Sequence, residues 1–134
     1  MLHEEITNDI IKVFYDTYNQ LGYGFLEKVY ENAFAIELKT KGFNVKRQYP
    51  ITVFYKGENI GEYFADIIVN DLVLLELKSA EDISLAHRNQ IINYLKATKM
   101  EVGLLFNFGE KPKFERFICT NNRKPLLQNI LKSV

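Results

Sequence analysis

Three charged side chains, Asp66, Glu76 and Lys78, interrupt a stretch, Tyr63–Ala80, that otherwise reads as two apolar strands around a short turn. A charge set among Ile, Val and Leu is costly unless it is paired or binds a metal. Glu76 and Lys78 are two apart, so on a strand they share a face. The face of Asp66 depends on the hairpin. A two-residue loop, Asn70-Asp71, sets Asp66 opposite Leu75 and turns the two acids to different faces. A three-residue loop, Asn70-Asp71-Leu72, sets Asp66 opposite Glu76. The functional reading requires the odd loop or a bulge.

If the three groups converge, two carboxylates a few ångströms apart suit a hard divalent cation such as Mg²⁺, or Mn²⁺, which favours oxygen ligands and keeps several waters. Such a cation activates water and stabilises charge developing on a phosphoryl oxygen. Lys78 on that face can position or help deprotonate the water, or neutralise the scissile phosphate. The alternative is a Lys–carboxylate salt bridge at the end of a sheet, which two acids and a lysine within a dozen residues form readily.

Two flanking segments bear on that choice. In Gly24-x-x-Glu27-x-x-Tyr30, Glu27 and Tyr30 share one face of a helix start, with Glu31 at i+4 from Glu27; the helix dipole alone also favours an acid at Glu27. Downstream, His87, Gln90, Asn93 and Tyr94 form one polar stripe on a helix. It reads either as a solvated face or as side chains that hold a phosphate backbone or the acids.

The surrounding elements follow from periodicity. Ile6, Ile10, Val13, Phe14, Thr17, Tyr18 and Leu21 make one apolar stripe, so residues 3–21 are predicted helical. Gly22 and Gly24 end it. A second helix, Leu26 to Lys41, has Val29, Tyr30, Ala33, Phe34, Ile36 and Leu38 inward and Gly42 as its cap. From Phe43 the period becomes two: a long strand bends at Pro50, an edge position, and runs to Tyr55. A turn at Lys56–Asn59 leads to Ile60–Val69, and a second leads to Leu72–Lys78, completing an antiparallel three-strand meander. Ser84 caps a helix to about Thr98. Val102–Asn107 is a short strand, Phe114–Ile118 is a further candidate strand, and a last helix lies around Leu126–Leu131. The order α-α-β-β-β-α-β-(β)-α gives an α/β (α+β) class with a mixed sheet flanked by helices, and residues 1–134 read as a single domain.

Composition excludes several functions. One cysteine, Cys119, and two histidines, His3 and His87, leave no internal disulfide, Cys-rich zinc site or iron–sulfur cluster. No apolar run approaches the roughly 20 residues that span a bilayer, and the acidic N-terminus lacks the features of a signal peptide, so the expected compartment is the cytoplasm. Net charge is zero, so no global field draws the chain onto nucleic acid. Locally, residues 1–37 carry seven acids against two bases, and residues 110–134 carry six bases against two acids.

Taken together, Gly24-x-x-Glu27-x-x-Tyr30, Tyr63-x-Ala65-Asp66, Glu76-Leu77-Lys78, His87-x-x-Gln90-x-x-Asn93-Tyr94-Leu95-Lys96 and Gly103–Gly109 resemble the bacterial GxxExxY proteins over nearly the whole chain. That family is grouped with the PD-(D/E)XK nuclease superfamily. The resemblance implies a restriction-endonuclease-like core, with Asp66 and Glu76 as metal-binding acids and Lys78 as the catalytic lysine. It further implies the Leu77 carbonyl as a ligand, Gln90 and Tyr94 as the Gln-x-x-x-Tyr motif of the RecB-like and λ-exonuclease-like branch, and Glu27 as that branch's extra helix acid. Ala65 departs from the pattern, standing where the superfamily name has proline.

The leading expectation is a Mg²⁺- or Mn²⁺-dependent nuclease acting on DNA through Asp66, Glu76, Lys78 and Gln90, with Glu27 and Leu77 completing the metal site. Tyr30, His87, Asn93 and Tyr94 are the candidate nucleic-acid contacts. A homodimer is one way for so small a domain to engage both strands. The alternatives are a non-catalytic module that keeps the fold to bind nucleic acid or protein, and a purely structural ion cluster.

Overall fold

The computed structural model describes residues 1–126. Its elements are α1 (Glu4–Leu21), α2 (Glu27–Thr40), β1 (Val45–Tyr55), β2 (Glu58–Val69), β3 (Val73–Lys78), α3 (Leu85–Lys96), β4 (Val102–Asn107) and β5 (Lys113–Ile118), followed by a 3₁₀ turn at Asn121–Arg123. The candidate strand at Phe114–Ile118 forms as β5. The C-terminal helix expected around Leu126–Leu131 lies, from residue 127 on, outside the described residues.

The five strands form one mixed sheet in the order β1-β2-β3-β4-β5. All neighbours are antiparallel except β3 and β4, which run parallel because α3 carries the chain across between them. Helices α1 and α2 cover one face, where Phe14, Phe34, Phe106 and Phe108 pack with Ile67, Leu75 and Leu77. Helix α3 covers the other, with Ile91 and Leu95 against Ile68, Leu74 and Leu105. Burial on both sides explains why β3 and β4 read as unbroken apolar runs. Pro50 sits on β1, which is an edge strand.

The first two hairpin loops are tight. Lys56 and Gly57 have φ of 49° and 79°, the paired positive values that a two-residue loop uses to match the strand twist, so this turn is shorter than the four residues expected. The β2–β3 loop has three residues: Val69 pairs with Val73, Ile68 with Leu74 and Ile67 with Leu75. That is the odd loop that sets Asp66 level with Glu76.

Helix α2 departs from expectation. Its buried residues are Tyr30, Glu31, Phe34, Ala35 and Leu38, while Val29 and Ile36 are exposed. The inward stripe is rotated toward Glu31 and Ala35 because Glu31 meets polar partners on β1. Its carboxylate accepts from Arg47 Nη2 at 2.6 Å, Gln48 Nε2 at 2.7 Å and Lys28 Nζ at 3.2 Å. A buried acid with that many donors is tolerated where an unpaired one would not be.

Candidate functional site

The site lies where β2 parts from β3. Their paired ladder stops at Ile67↔Leu75. One residue further on, side chains replace it: Leu77 N donates to Asp66 Oδ2 at 2.8 Å, and Asp66 N donates to Glu76 Oε1 at 3.2 Å. The fork comes from a change of face. Ile67 packs under α1 and α2, whereas Ala65, two residues earlier, packs under α3; regular alternation would keep them together. Gln48, across from Asp66 on β1, has φ of 48°, an uncommon left-handed conformation for a residue with a side chain. Both strands therefore turn over at one level, which brings Asp66 between the two helical layers.

Electrostatics mark the same point. Burial pushes the Glu76 carboxyl up to about 9, reinforced by the Asp66 charge and opposed by Lys78. Burial also raises Asp66, with the Leu77 N–H opposing. Burial raises Glu27 as well; Lys78 opposes and Asp66 adds. Glu27, the first residue of α2, is exposed as a whole, but its carboxyl shares a cavity of about 240 Å³ with Lys28, Glu31, Gln48, Asp66 and Leu77. Lys78 acts on all three acids. Its strand end is pinned by Phe108 N, which donates to the Lys78 carbonyl at 2.8 Å, and by the buried Asn107 amide, which bonds both N and O of Ala80.

Helix α3 supplies the other wall. Gln90 Nε2 donates to the Tyr94 hydroxyl at 3.1 Å. Burial raises the Tyr94 hydroxyl, the Gln90 hydrogen bond opposes, and the Glu76 and Asp66 charges add. Gln90, Asn93 and Tyr94 line a cavity of about 540 Å³ with Asn89, Tyr63 and Val53. His87 acts within its own helix. Its Nδ1 accepts from Ser84 N at 3.1 Å, and its own N–H donates to Ser84 Oγ at 3.2 Å, a reciprocal cap on the start of α3.

Tyr30 is a correction. Expected among the nucleic-acid contacts, it is fully buried and stacks on Phe108 with ring centroids 4.4 Å apart. Its hydroxyl donates to the Gly22 carbonyl at 2.6 Å and accepts from Phe25 N at 3.2 Å. The ring stabilises the core and the hydroxyl fixes the α1–α2 loop, so no face is left for a ligand.

The donor set around the fork is all oxygen, and burial raises the pKa of each of its three carboxyls while Lys78 opposes. That chemistry fits a hard divalent cation. Among the described residues, no three of His, Cys, Asp and Glu are close enough to hold a metal ion by themselves, so the strand acids would need backbone or water oxygens as well.

The PD-(D/E)XK nuclease superfamily matches this sequence over residues 4–117. The chain belongs to that superfamily. The fold agrees with that of SSO0001, known from a crystal structure, at a TM-score of 0.56 and 16% identity. The match covers 79% of this chain and 56% of that protein, so this chain spans little more than half its length. The alkaline exonuclease LHK-Exo from Laribacter hongkongensis aligns at a TM-score of 0.44 and 12% identity, over 99% of this chain and 77% of the exonuclease. No curated protein matches the sequence closely enough to count. Among the described residues, no helix is long and apolar enough to cross a membrane.

The superfamily's acid–acid–lysine pattern is visible in the sequence; the groups that support it are less so. Asn107 is a polar residue ending a six-residue buried strand, which is a signal in itself. Arg47 alternates with Val45 and Tyr49 on an otherwise apolar face, which foreshadows a buried partner. Nothing local marks Gln48.

Proposed function

We propose that this protein is a divalent-metal-dependent nuclease that hydrolyses phosphodiester bonds in DNA, within the GxxExxY group and the RecB-like, λ-exonuclease-like branch of the superfamily. The observation that carries this reading is the placement of Asp66 level with Glu76 at the open end of a fork, with Lys78 on the same strand. Asp66, Glu76 and the Leu77 carbonyl would hold the ion together with water, and Glu27 lines the same space. When bound, Mg²⁺ or Mn²⁺ supplies Lewis-acid stabilisation of the phosphoryl oxygens and a water of lowered pKa.

The chain's own groups do the rest. Asp66 and Glu76, whose ionisation burial disfavours, would hold the ion as carboxylates. Lys78, acting on the same acids, places positive charge beside the scissile phosphate, where charge accumulates in the transition state. Gln90 holds the Tyr94 hydroxyl, on which the Glu76 and Asp66 charges act.

Cleavage of labelled DNA in Mg²⁺ or Mn²⁺ tests the reading, with Asp66→Asn and Lys78→Ala expected to abolish it; activity that survives both would place the chemistry elsewhere. A second reading has its own support. The two acids accept from backbone N–H groups at the fork, a structural role that a non-catalytic binding module would keep. Calorimetric titration with Mg²⁺ and Mn²⁺ separates the two: absence of metal binding, with folding intact, selects the module.

A further inference from the structure

The loop that joins α1 to α2, Gly22 to Leu26, is tied to its surroundings and yet presents apolar side chains to solvent. Tyr23, Phe25 and Leu26 are 64%, 45% and 79% exposed. The backbone beneath them is tied at three points. Tyr30 Oη donates to the Gly22 carbonyl at 2.6 Å, Phe25 N donates to Tyr30 Oη at 3.2 Å, and Ser79 Oγ donates to the Phe25 carbonyl at 3.1 Å. The Phe25 ring is further held edge-on to Tyr30, with centroids 6.0 Å apart. Gly22 and Gly24, at φ of 74° and 113°, allow the path. Ordering the loop this way removes the freedom by which exposed aromatics usually fold back onto a protein, and a preordered apolar surface costs a ligand little to engage.

Position says what it engages. Phe25 lies two residues before Glu27, and its carbonyl is bonded to the residue after Lys78. A phosphate held between Glu27 and Lys78 would therefore lie next to the loop that carries Tyr23 and Phe25, with its neighbouring bases in reach of that loop.

Charge points the same way. Beside the cavity that Glu27 shares with Asp66, Lys28 and Arg47 are both paired with Glu31, and the net charge is zero. Duplex binding draws its affinity chiefly from cations that neutralise phosphates, and these two cations beside the lip are already committed to an acid. Stacking on aromatic faces is the other source, and it requires bases that are not already stacked in a helix.

We propose that the substrate is unpaired nucleic acid, a single strand or a frayed end, gripped by base stacking on a fixed aromatic lip of Tyr23 and Phe25 beside the acids. This rests on the nuclease reading above and narrows its substrate.

The test measures fluorescence anisotropy of a labelled single-stranded oligonucleotide and of the duplex of equal length, in chelator, with the full chain and with Tyr23→Ser and Phe25→Ala. The single strand binds more tightly, and its affinity falls with salt on a log–log slope no steeper than about −1.4, the value for two neutralised phosphates. Each substitution weakens single-strand binding about tenfold and leaves duplex binding unchanged. Tyr23→Ser is the folding-safe variant, because that side chain is mostly in solvent. Equal or tighter binding of the duplex, or single-strand binding that neither variant weakens, overturns the lip. Mg²⁺-dependent cleavage assayed in parallel separates the two ideas: cleavage that persists with unaltered strand preference in both variants rejects the lip alone, whereas no binding and no cleavage in any form rejects the nuclease reading with it.

Discussion

Asp66 and Glu76 each hydrogen-bond the backbone of the other's strand, Asp66 Oδ2 to Leu77 N and Glu76 Oε1 to Asp66 N. The pair thus takes over where the β2–β3 ladder ends. The two acids have a structural role and a chemical opportunity at once. Their oxygens satisfy N–H groups that the fork would leave unpaired, while their charges crowd a buried space. The first role needs only acceptor oxygens; the second needs the charge.

Uncharged isosteres separate the roles. Asp66→Asn and Glu76→Gln keep a carbonyl oxygen for each N–H and remove the ionisation. In chelator near pH 8, urea unfolding should show Glu76→Gln at least as stable as the parent, and metal-dependent cleavage should be lost. A loss of several kcal/mol in both variants would mean that the carboxylates serve mainly as a structural ion cluster.

The raised carboxyls also fix the direction of a pH effect. Glu76 keeps its proton up to about 9 in the folded, metal-free protein, whereas the unfolded chain releases it near the ordinary value of 4.5. Between those limits the folded state binds more protons, so stability falls as pH rises. Asp66 and Glu27 are raised too and act in the same direction. Each pH unit of difference corresponds to about 1.4 kcal/mol, so a fall of a few kcal/mol is expected. Thermal melts in chelator from about pH 5 to about pH 9 should show a declining Tm. Glu76→Gln should flatten the profile, and Mn²⁺ should restore stability at the alkaline end.

Much of this arrangement is legible in the amino-acid order, and the reasons are physical. Strands buried on both faces leave unbroken apolar runs, so Asp66, Glu76 and Lys78 stand out against Ile, Val and Leu. Period-two alternation ties their faces to the count of the Asn70–Leu72 loop, a question with only two answers. Helix α2 is less legible. The spacing of Glu27 and Tyr30 shows that they share a face but not which way it points, and Glu31 turns inward only because Arg47 and Gln48 arrive from β1. The twist at Gln48 and Asp66 leaves no compositional mark, since it arises from how β1 and β2 settle between two helical layers.

Glu31 should be the least replaceable acid outside the fork. It is buried and accepts from Arg47, Gln48 and Lys28. Glu31→Ala takes this acceptor from Arg47 and Gln48, which are themselves exposed, so the cost is about 1.5–3 kcal/mol, that of hydrogen bonds to a charged group. Because Gln48 lies across from Asp66, the retained fold should also lose activity. Denaturant unfolding gives the first quantity; cleavage at a temperature where the variant is folded gives the second. A cost below about 1 kcal/mol, typical of exposed pairs, would show that the network does not hold α2 to β1.

Gly109→Ala probes how firmly the end of β3 must be held. A Cβ at Gly109 would lie 2.5 Å from the Ala80 carbonyl oxygen and 3.0 Å from Asn107 Nδ2, so either the backbone at Ala80 or the Asn107 amide has to move. That amide bonds both N and O of Ala80, and Ala80 follows Lys78 and Ser79 directly. Relieving the overlap is expected to cost about 1–3 kcal/mol and to shift the Lys78 ammonium away from the acids. The kinetic signature is a fall in kcat greater than any rise in KM, because an interaction that strengthens in the transition state is lost while ground-state binding is kept. Asn107→Leu, which removes the same two hydrogen bonds without adding bulk at position 109, should reproduce the kcat effect. If Gly109→Ala lowers kcat and Asn107→Leu does not, the clash rather than the lost amide bridge displaces Lys78.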